Sequence, residues 1–201
     1  MSALHKLGLG VLSSSRAALA RAITLAESTL PAHREQAEQM LEFLAKEKEK
    51  EKSGTKSTPS SSNRWGQGHF TIGVAGPPGA GKSTFIEALG LRLVDANHRV
   101  AVIPVDPSSP ISRGSILGDK TRMERLSRSD NAYIRAAPTR GVLGGVAEKT
   151  NEVIFLCALA GFDVCIVESV GDKPSLSLSY FPSLLSPYLS AIHRIRRVRS
   201  V

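Results

Sequence analysis

Hydrophobic and polar positions follow two different periods along the chain, and the change falls near residue 68. Before it, Leu19, Ile23, Ala26 and Leu30 recur at helical spacing behind Ser13, Ser14 and Ser15, any of which can cap a helix start. Pro31 is expected to end that helix, and Ala37, Met40, Leu41 and Leu44 mark a second one over residues 32–45. The two predict an N-terminal αα-hairpin whose apolar stripes must dock to be buried. Residues 46–67 (KEKEKEKSGTKSTPSSSNRWGQ) carry charge, then Ser, Thr, Pro and Gly, and read as a flexible linker with Trp65 loosely packed in it.

After residue 68 the pattern changes to short apolar runs separated by helical stretches. Residues 70–76 (FTIGVAG), 99–105 (RVAVIPV), 132–135 and 163–167 (DVCIV) predict strands. Residues 82–96, 119–128 and 145–160 predict helices. Strands alternating with helices imply βαβ units, an α/β fold with a mostly parallel sheet flanked by helices.

Composition narrows the class. The 201 residues are 41% hydrophobic and 22% charged, which excludes a disordered or collagen-like chain. Two cysteines, Cys157 and Cys165, are too few for a disulfide scaffold or a structural zinc site. No apolar run approaches the ~20 residues of a membrane-spanning helix. The net charge of +8 is uneven, because five basic side chains and one acid follow Gly171. With no nucleic-acid fold beside that charge, no nucleic-acid partner is expected. Residues 1–26 hold basic groups and no acid, the composition of a mitochondrial targeting segment and equally of a basic helix start.

The chemistry is concentrated after the first strand. Gly76, Pro77, Pro78, Gly79, Ala80, Gly81, Lys82 and Ser83 fit G-x-x-x-x-G-K-[ST], followed by Thr84. Glycines let such a loop wrap so that backbone N–H groups face phosphate oxygens, and the following helix adds its positive end. Lys82 would reach the β- and γ-phosphates, and the Ser83 hydroxyl would ligate Mg²⁺. The motif lies between a predicted strand and a predicted helix, the context it requires. Asp106 after one strand and Glu168 after another stand at carboxyl ends, where α/β sheets bind ligands. Asp119, in the glycine-bearing stretch 112–120, is a further acid for a switch or metal shell.

Longer blocks carry a resemblance. GPPGAGKST at 76–84, VDPSS at 105–109, GSILGDKTRM at 114–123, NAYIRAAPTRGVLGGV at 131–146, TNE at 150–152 and GFDVCIVESVG at 161–171 resemble the MeaB/ArgK-type P-loop GTPases that attend methylmalonyl-CoA mutase. RAITLAEST at 21–29 resembles that family's N-terminal helical segment, and the animal, methylmalonic aciduria type A branch is the most similar. The resemblance implies a P-loop NTPase that binds GTP/GDP with Mg²⁺ and hydrolyses GTP. It implies a chaperone of the mutase that gates adenosylcobalamin loading and protects the holoenzyme. Catalytic roles fall on Lys82, Asp106 and Glu168, and metal roles on Ser83, Asp106, Asp119 and Glu168. The family's homodimer, and a location in the mitochondrial matrix for an animal source or the cytoplasm for a bacterial one, belong to the same expectation.

The resemblance stops at Gly171. Residues 172–201 (DKPSLSLSYFPSLLSPYLSAIHRIRRVRSV) show no period that assigns a helix or strand, and no N-K-x-D or T-K-x-D occurs anywhere in the chain. The expectation is a chain truncated or alternatively spliced after Gly171. It has a helical segment at 1–45, a linker at 46–67, a P-loop domain at 68–171 and a disordered tail. The C-terminal part of the sheet and the family's dimerisation arm would be missing, leaving an apolar sheet edge open. Two other functions stay open: a P-loop small-molecule kinase, and a non-catalytic mutase-binding module docking through the N-terminal helices. A basic amphipathic surface segment at 176–199 is a rival reading of the tail.

Overall fold

Three helices open the chain in the computed structural model, which describes residues 2–54, 69–106, 123–135, 137–138, 149–171 and 175–181. Helix α1 (Ala3–Leu12) is capped by Ser2, whose hydroxyl accepts from the His5 N–H. Ser14 takes a left-handed conformation, and Ser15 then caps α2 (Arg16–Glu27) by accepting from the Ala18 N–H. Helix α3 runs Pro31–Gly54. Pro31 therefore starts a helix at its first position, where a missing N–H costs nothing. Leu30 falls between helices and is exposed, so it leaves the predicted stripe. Leu19, Ala22, Ile23 and Ala26 of α2 are buried, as are Ala37, Met40, Leu41 and Leu44 of α3. The hairpin expected here is a three-helix unit, because α1 was not foreseen.

Residues 46–54 of the stretch expected to be a linker are helical instead. Helix α3 continues through residue 46 to Gly54, where the Lys/Glu alternation sets opposite charges three apart. Lys50 pairs with Glu47 at 2.6 Å, and Lys46 reaches back to Glu42 at 3.2 Å. Such exposed pairs each contribute only a few tenths of a kcal/mol, about enough to extend a helix already nucleated by packing. Trp65 lies outside the described residues.

The chain divides into two compact units, the first grouping α1–α3 with residues 151–161. The second is built on a sheet. Strand β1 (His69–Gly76) is followed by α4 (Lys82–Asp95), β2 (Val100–Asp106), the short α5 (Glu124–Ser127), β3 (Ala132–Ile134) and β4 (Ala137–Pro138). Helix α6 (Thr150–Leu159), β5 (Val164–Val170) and β6 (Ser175–Phe181) complete the order. The sheet runs β3-β2-β5-β1-β6, with β4 added along β2. All pairings are parallel except that of β6 with β1. The α/β fold with a mostly parallel sheet and packed helices is the expected one.

Side chains sharing one face make the core of this unit: Val74, Val100, Val102, Ala132, Ile134, Val164 and Ile166 from the strands, Ile86 from α4, Leu126 from α5 and Met123 at its N-cap. Burial of each larger side chain stabilises by roughly 1.5–3 kcal/mol. At Gly90, α4 packs directly on the Leu126 side chain of α5, since a Cβ there would stand 2.5 Å from Leu126 Cδ2 and 3.1 Å from Cδ1. Gly90→Ala is therefore expected to destabilise the chain by about 1–3 kcal/mol despite alanine's better helix propensity. A lowered denaturant midpoint with unchanged m-value is the measurement that checks it.

Two features correct the sequence reading. Strand β5 extends through Val170, so Glu168 lies within it, opposite Val74, and not after it. In addition, β6 supplies a strand where none was expected. Leu176, Leu178 and Tyr180 stand opposite Val74, Ile72 and Phe70, so the free side of β1 is paired.

The amino ends of three strands are joined by a buried polar cluster. Asp163, just before β5, holds His98 Nδ1 at 2.7 Å and accepts the Arg99 N–H at 2.7 Å. The Arg99 guanidinium lies 4.6 Å above the Phe162 ring. At the start of β1, His69 Nδ1 lies 3.2 Å from the Phe162 carbonyl, which only accepts, so Nδ1 carries the proton. Nε2 then accepts from the Thr71 hydroxyl at 3.2 Å.

Burial lowers the pKa of His69 below 6.5, against smaller opposing effects of the Phe162 carbonyl and Asp163. The unfolded chain thus binds more protons than the folded one below about pH 6.5, so stability falls as pH drops through that value toward the folded pKa. His69→Gln is expected to flatten this part of a stability profile recorded between pH 7 and pH 5.

Candidate functional site

Strand β1 carries the chain into the sheet core and releases it at Gly76, at the carboxyl end of the parallel strands. Two residues in the turn that follows need the left-handed region, and both are glycine: Gly79 at φ 80° and Gly81 at φ 78°. A side chain at either would be strained although space is open around both. The Ala80 N–H donates to the Pro77 carbonyl at 3.3 Å and closes the turn. Gly81 is the N-cap of α4 and has no side chain to satisfy the first-turn N–H groups, which leaves the positive end of a 14-residue helix for an anion.

A cavity of about 380 Å³ lies over this turn. Pro78, Gly79, Ala80, Gly81, Lys82, Ser83, Thr84 and Glu168 line it. Lys82 Nζ donates to the Gly76 carbonyl at 2.9 Å and the Pro77 carbonyl at 3.1 Å, and stands 4.0 Å from Glu168 Oε1. The Ser83 hydroxyl donates to Glu168 Oε1 at 3.3 Å. Both charged side chains are mostly buried, 11% exposed for Lys82 and 14% for Glu168.

The structure thus brings Glu168, 85 residues from Ser83 in sequence, against the loop chosen from the motif. Gly76 and Pro77 serve from behind, through the carbonyls that hold Lys82. Strand β2 ends on Asp106, one residue beyond Val105, which faces Ser169 of β5. The backbone at Asp106 is therefore at the same carboxyl edge. Its side chain and the whole of Asp119 lie outside the described residues. Among the described residues no group of three or more His, Cys, Asp or Glu side chains is arranged to hold a metal ion. Ser83 and Glu168 nonetheless offer two hard oxygens side by side, the donor type Mg²⁺ takes when phosphates and waters fill its other positions. The carbonyl tether of Lys82 left no mark in the sequence, because every residue has a carbonyl.

A sequence model described as "Methylmalonyl Co-A mutase-associated GTPase MeaB" matches residues 19–175. The chain belongs to the MeaB family. Among its relatives, a probable GTPase of Mycobacterium tuberculosis is 52% identical over 165 residues, 82% of this chain and 44% of that protein. The mitochondrial methylmalonic aciduria type A homolog of Mus musculus is 48% identical over 169 residues, 83% of this chain and 38% of that one. The crystal structure of an LAO/AO transport system kinase superposes with a TM-score of 0.57 at 34% identity, covering 84% of this chain and 43% of that one. This MeaB-family chain spans less than half the length of these relatives. No helix among its described residues is long and apolar enough to cross a membrane.

Proposed function

We propose that this chain binds GTP or GDP with Mg²⁺ in the loop 76–84 and is the phosphate-handling part of a GTPase that serves methylmalonyl-CoA mutase. The observation that carries the reading is the convergence of Lys82, Ser83 and Glu168 on one cavity at the mouth of a glycine turn. In this reading the first-turn N–H groups of α4 and the turn backbone bind the β-phosphate, and Lys82 leaves the Gly76 and Pro77 carbonyls to reach the β- and γ-oxygens. Ser83 and Glu168 would hold Mg²⁺, with Asp106 and Asp119 as further acids of its shell. Bound there, Mg²⁺ supplies charge neutralisation at the phosphate oxygens. Hydrolysis is in-line attack by water on the γ-phosphorus: the new P–O bond forms as the bond to the β–γ bridging oxygen breaks, and Lys82 faces the charge that develops.

The family name supports the mutase as partner, with gating of adenosylcobalamin loading and protection of the holoenzyme as the proposed service. The mitochondrial mouse relative supports the matrix as the location for an animal source. A homodimer is proposed on family grounds alone. Base selectivity is a separate matter, since no N-K-x-D or T-K-x-D stands in the 201 residues. Phosphate recognition is therefore expected to outweigh base reading here.

Titration of the full chain with fluorescent GDP and Mg²⁺, competed by GTP and by ATP, tests this. Saturable binding displaced comparably by both triphosphates is expected, and no binding overturns the proposal. The structural neighbour is described as a kinase, which favours one second reading, a small-molecule kinase. Phosphate appearing on an acceptor, with none released to water, would select it.

A further inference from the structure

The two margins of the sheet are unlike. At one, β3 is three residues long and runs straight into Arg135, a short and charged edge of the kind that resists further pairing. At the other, β6 has seven residues with neither a charge nor a proline among them. One side of β6 is paired to β1 along its whole length, from Ser175 opposite Ala75 to Phe181 opposite His69. Among the described residues nothing pairs its other side. Leu176, 64% exposed, is the most exposed large apolar side chain among the described residues. Strand β6 starts at the last residue of the family match, so this edge lies beyond what the family model covers.

We propose that the outer edge of β6 binds a second copy of this chain, strand against strand, in an antiparallel pair whose two-fold axis passes through Leu178. The partner is a second copy because the segment complements itself. Pro174 and Pro182 bound the strand, so the alignment centred on Leu178 is the one that pairs all seven residues without meeting a proline. It sets Leu178 opposite Leu178, Leu176 opposite Tyr180 and Ser177 opposite Ser179. Directly opposed residues share a face, so the apolar row of one copy continues into that of the other. A slip by one residue would set leucine against serine along the pair. With no charge in the strand, the two-fold brings no like charges together. The contact is isologous and closes at two copies. An edge contact of one strand is small, so the dimer is weak, with a Kd of roughly 10–100 µM. This inference does not rest on the nucleotide-binding reading, and it gives a surface to the homodimer proposed above on family grounds.

Sedimentation velocity of the full chain from about 5 to 500 µM, a range that brackets this Kd, is expected to show monomer giving way to dimer. Leu178→Lys and Leu178→Glu each set like charges face to face on the axis, so each alone should dimerise about tenfold more weakly. An equimolar mixture of the two variants should dimerise again, within about threefold of wild type. Leu178→Cys should cross-link to its own copy in oxidised glutathione, because directly opposite Cα atoms lie about 4.5–5.5 Å apart. Ser175→Cys should not, since its counterpart lies roughly 20 Å away along the strand. Cys157 and Cys165 are buried and stay out of the reaction. A wild-type chain that is monomeric across the range overturns the proposal and leaves the edge to residues 182–201 of the same chain. A dimer that survives both charged variants, or that Leu178→Cys fails to link, overturns it too. The wild-type and cysteine measurements decide the matter even where a charged variant does not fold.

Discussion

Replacing Lys82 with alanine is expected to weaken GDP binding in Mg²⁺ by about a hundredfold, or roughly 3 kcal/mol. The ammonium makes charge-assisted bonds, each contributing about 1.5–3 kcal/mol when its partner is held in place. It is also the cation that lines the described cavity, so nothing there replaces it. Lys82→Arg should not rescue binding, because the larger planar guanidinium cannot replace a compact, mostly buried ammonium in the cavity over the glycine turn. Removing Lys82 also takes the cation from beside the mostly buried Glu168, so a loss of stability is expected alongside the loss of binding. A fluorescent-GDP titration beside a thermal melt separates the two effects. Binding within threefold of wild type would remove Lys82 from the site.

The second large effect is on stability. Asp163→Ala is expected to cost about 3 kcal/mol, because it strips the acceptor from both the Arg99 N–H and His98 Nδ1. His98 and Asp163 are 4% and 6% exposed, so water does not take the vacated place cheaply. Asp163→Asn keeps one oxygen for the Arg99 N–H and should lose less. A buried pair of this kind is weak evidence of net stabilisation, but its half-removal is costly. Urea midpoints of the three proteins decide the matter, and an alanine variant within about 0.5 kcal/mol of wild type would show that the amino-end cluster is not under load.

The most legible part of the chain in sequence was the stretch from β1 to α4, where an apolar strand, a glycine loop and a helical period agree with one another. Glu168 was legible as an acid at the carboxyl edge, but its strand was drawn short. The polar pair Glu168 and Ser169 looks like a strand end until Val74 and Ala75 are placed beside it. Helix α1 was obscured by its composition, since Gly8 and Gly10 each disfavour a helix by about 1 kcal/mol. In the structure the same glycines allow close packing, with Gly8 against Phe43 and Gly10 against Ala18. Strand β6 has the plainest period in hindsight, Leu176, Leu178 and Tyr180 alternating with Ser175, Ser177 and Ser179. Serine's weak strand preference hid it, and its partner β1 lies far back in sequence, where no local window reaches.

That distance sets an order of events during synthesis. Strand β1 pairs with β5 and β6 and with neither β2 nor β3, so its lateral hydrogen bonds wait for residues made much later. His69 and its Phe162 acceptor are 93 residues apart. At about 5–20 residues per second, a ribosome takes roughly five to twenty seconds to cover that span. Through that interval the glycine turn at 76–81 has no sheet to project from. If the proposed site is right, nucleotide cannot template the first half of this unit as it emerges, and meets a formed loop only after β5 has been made.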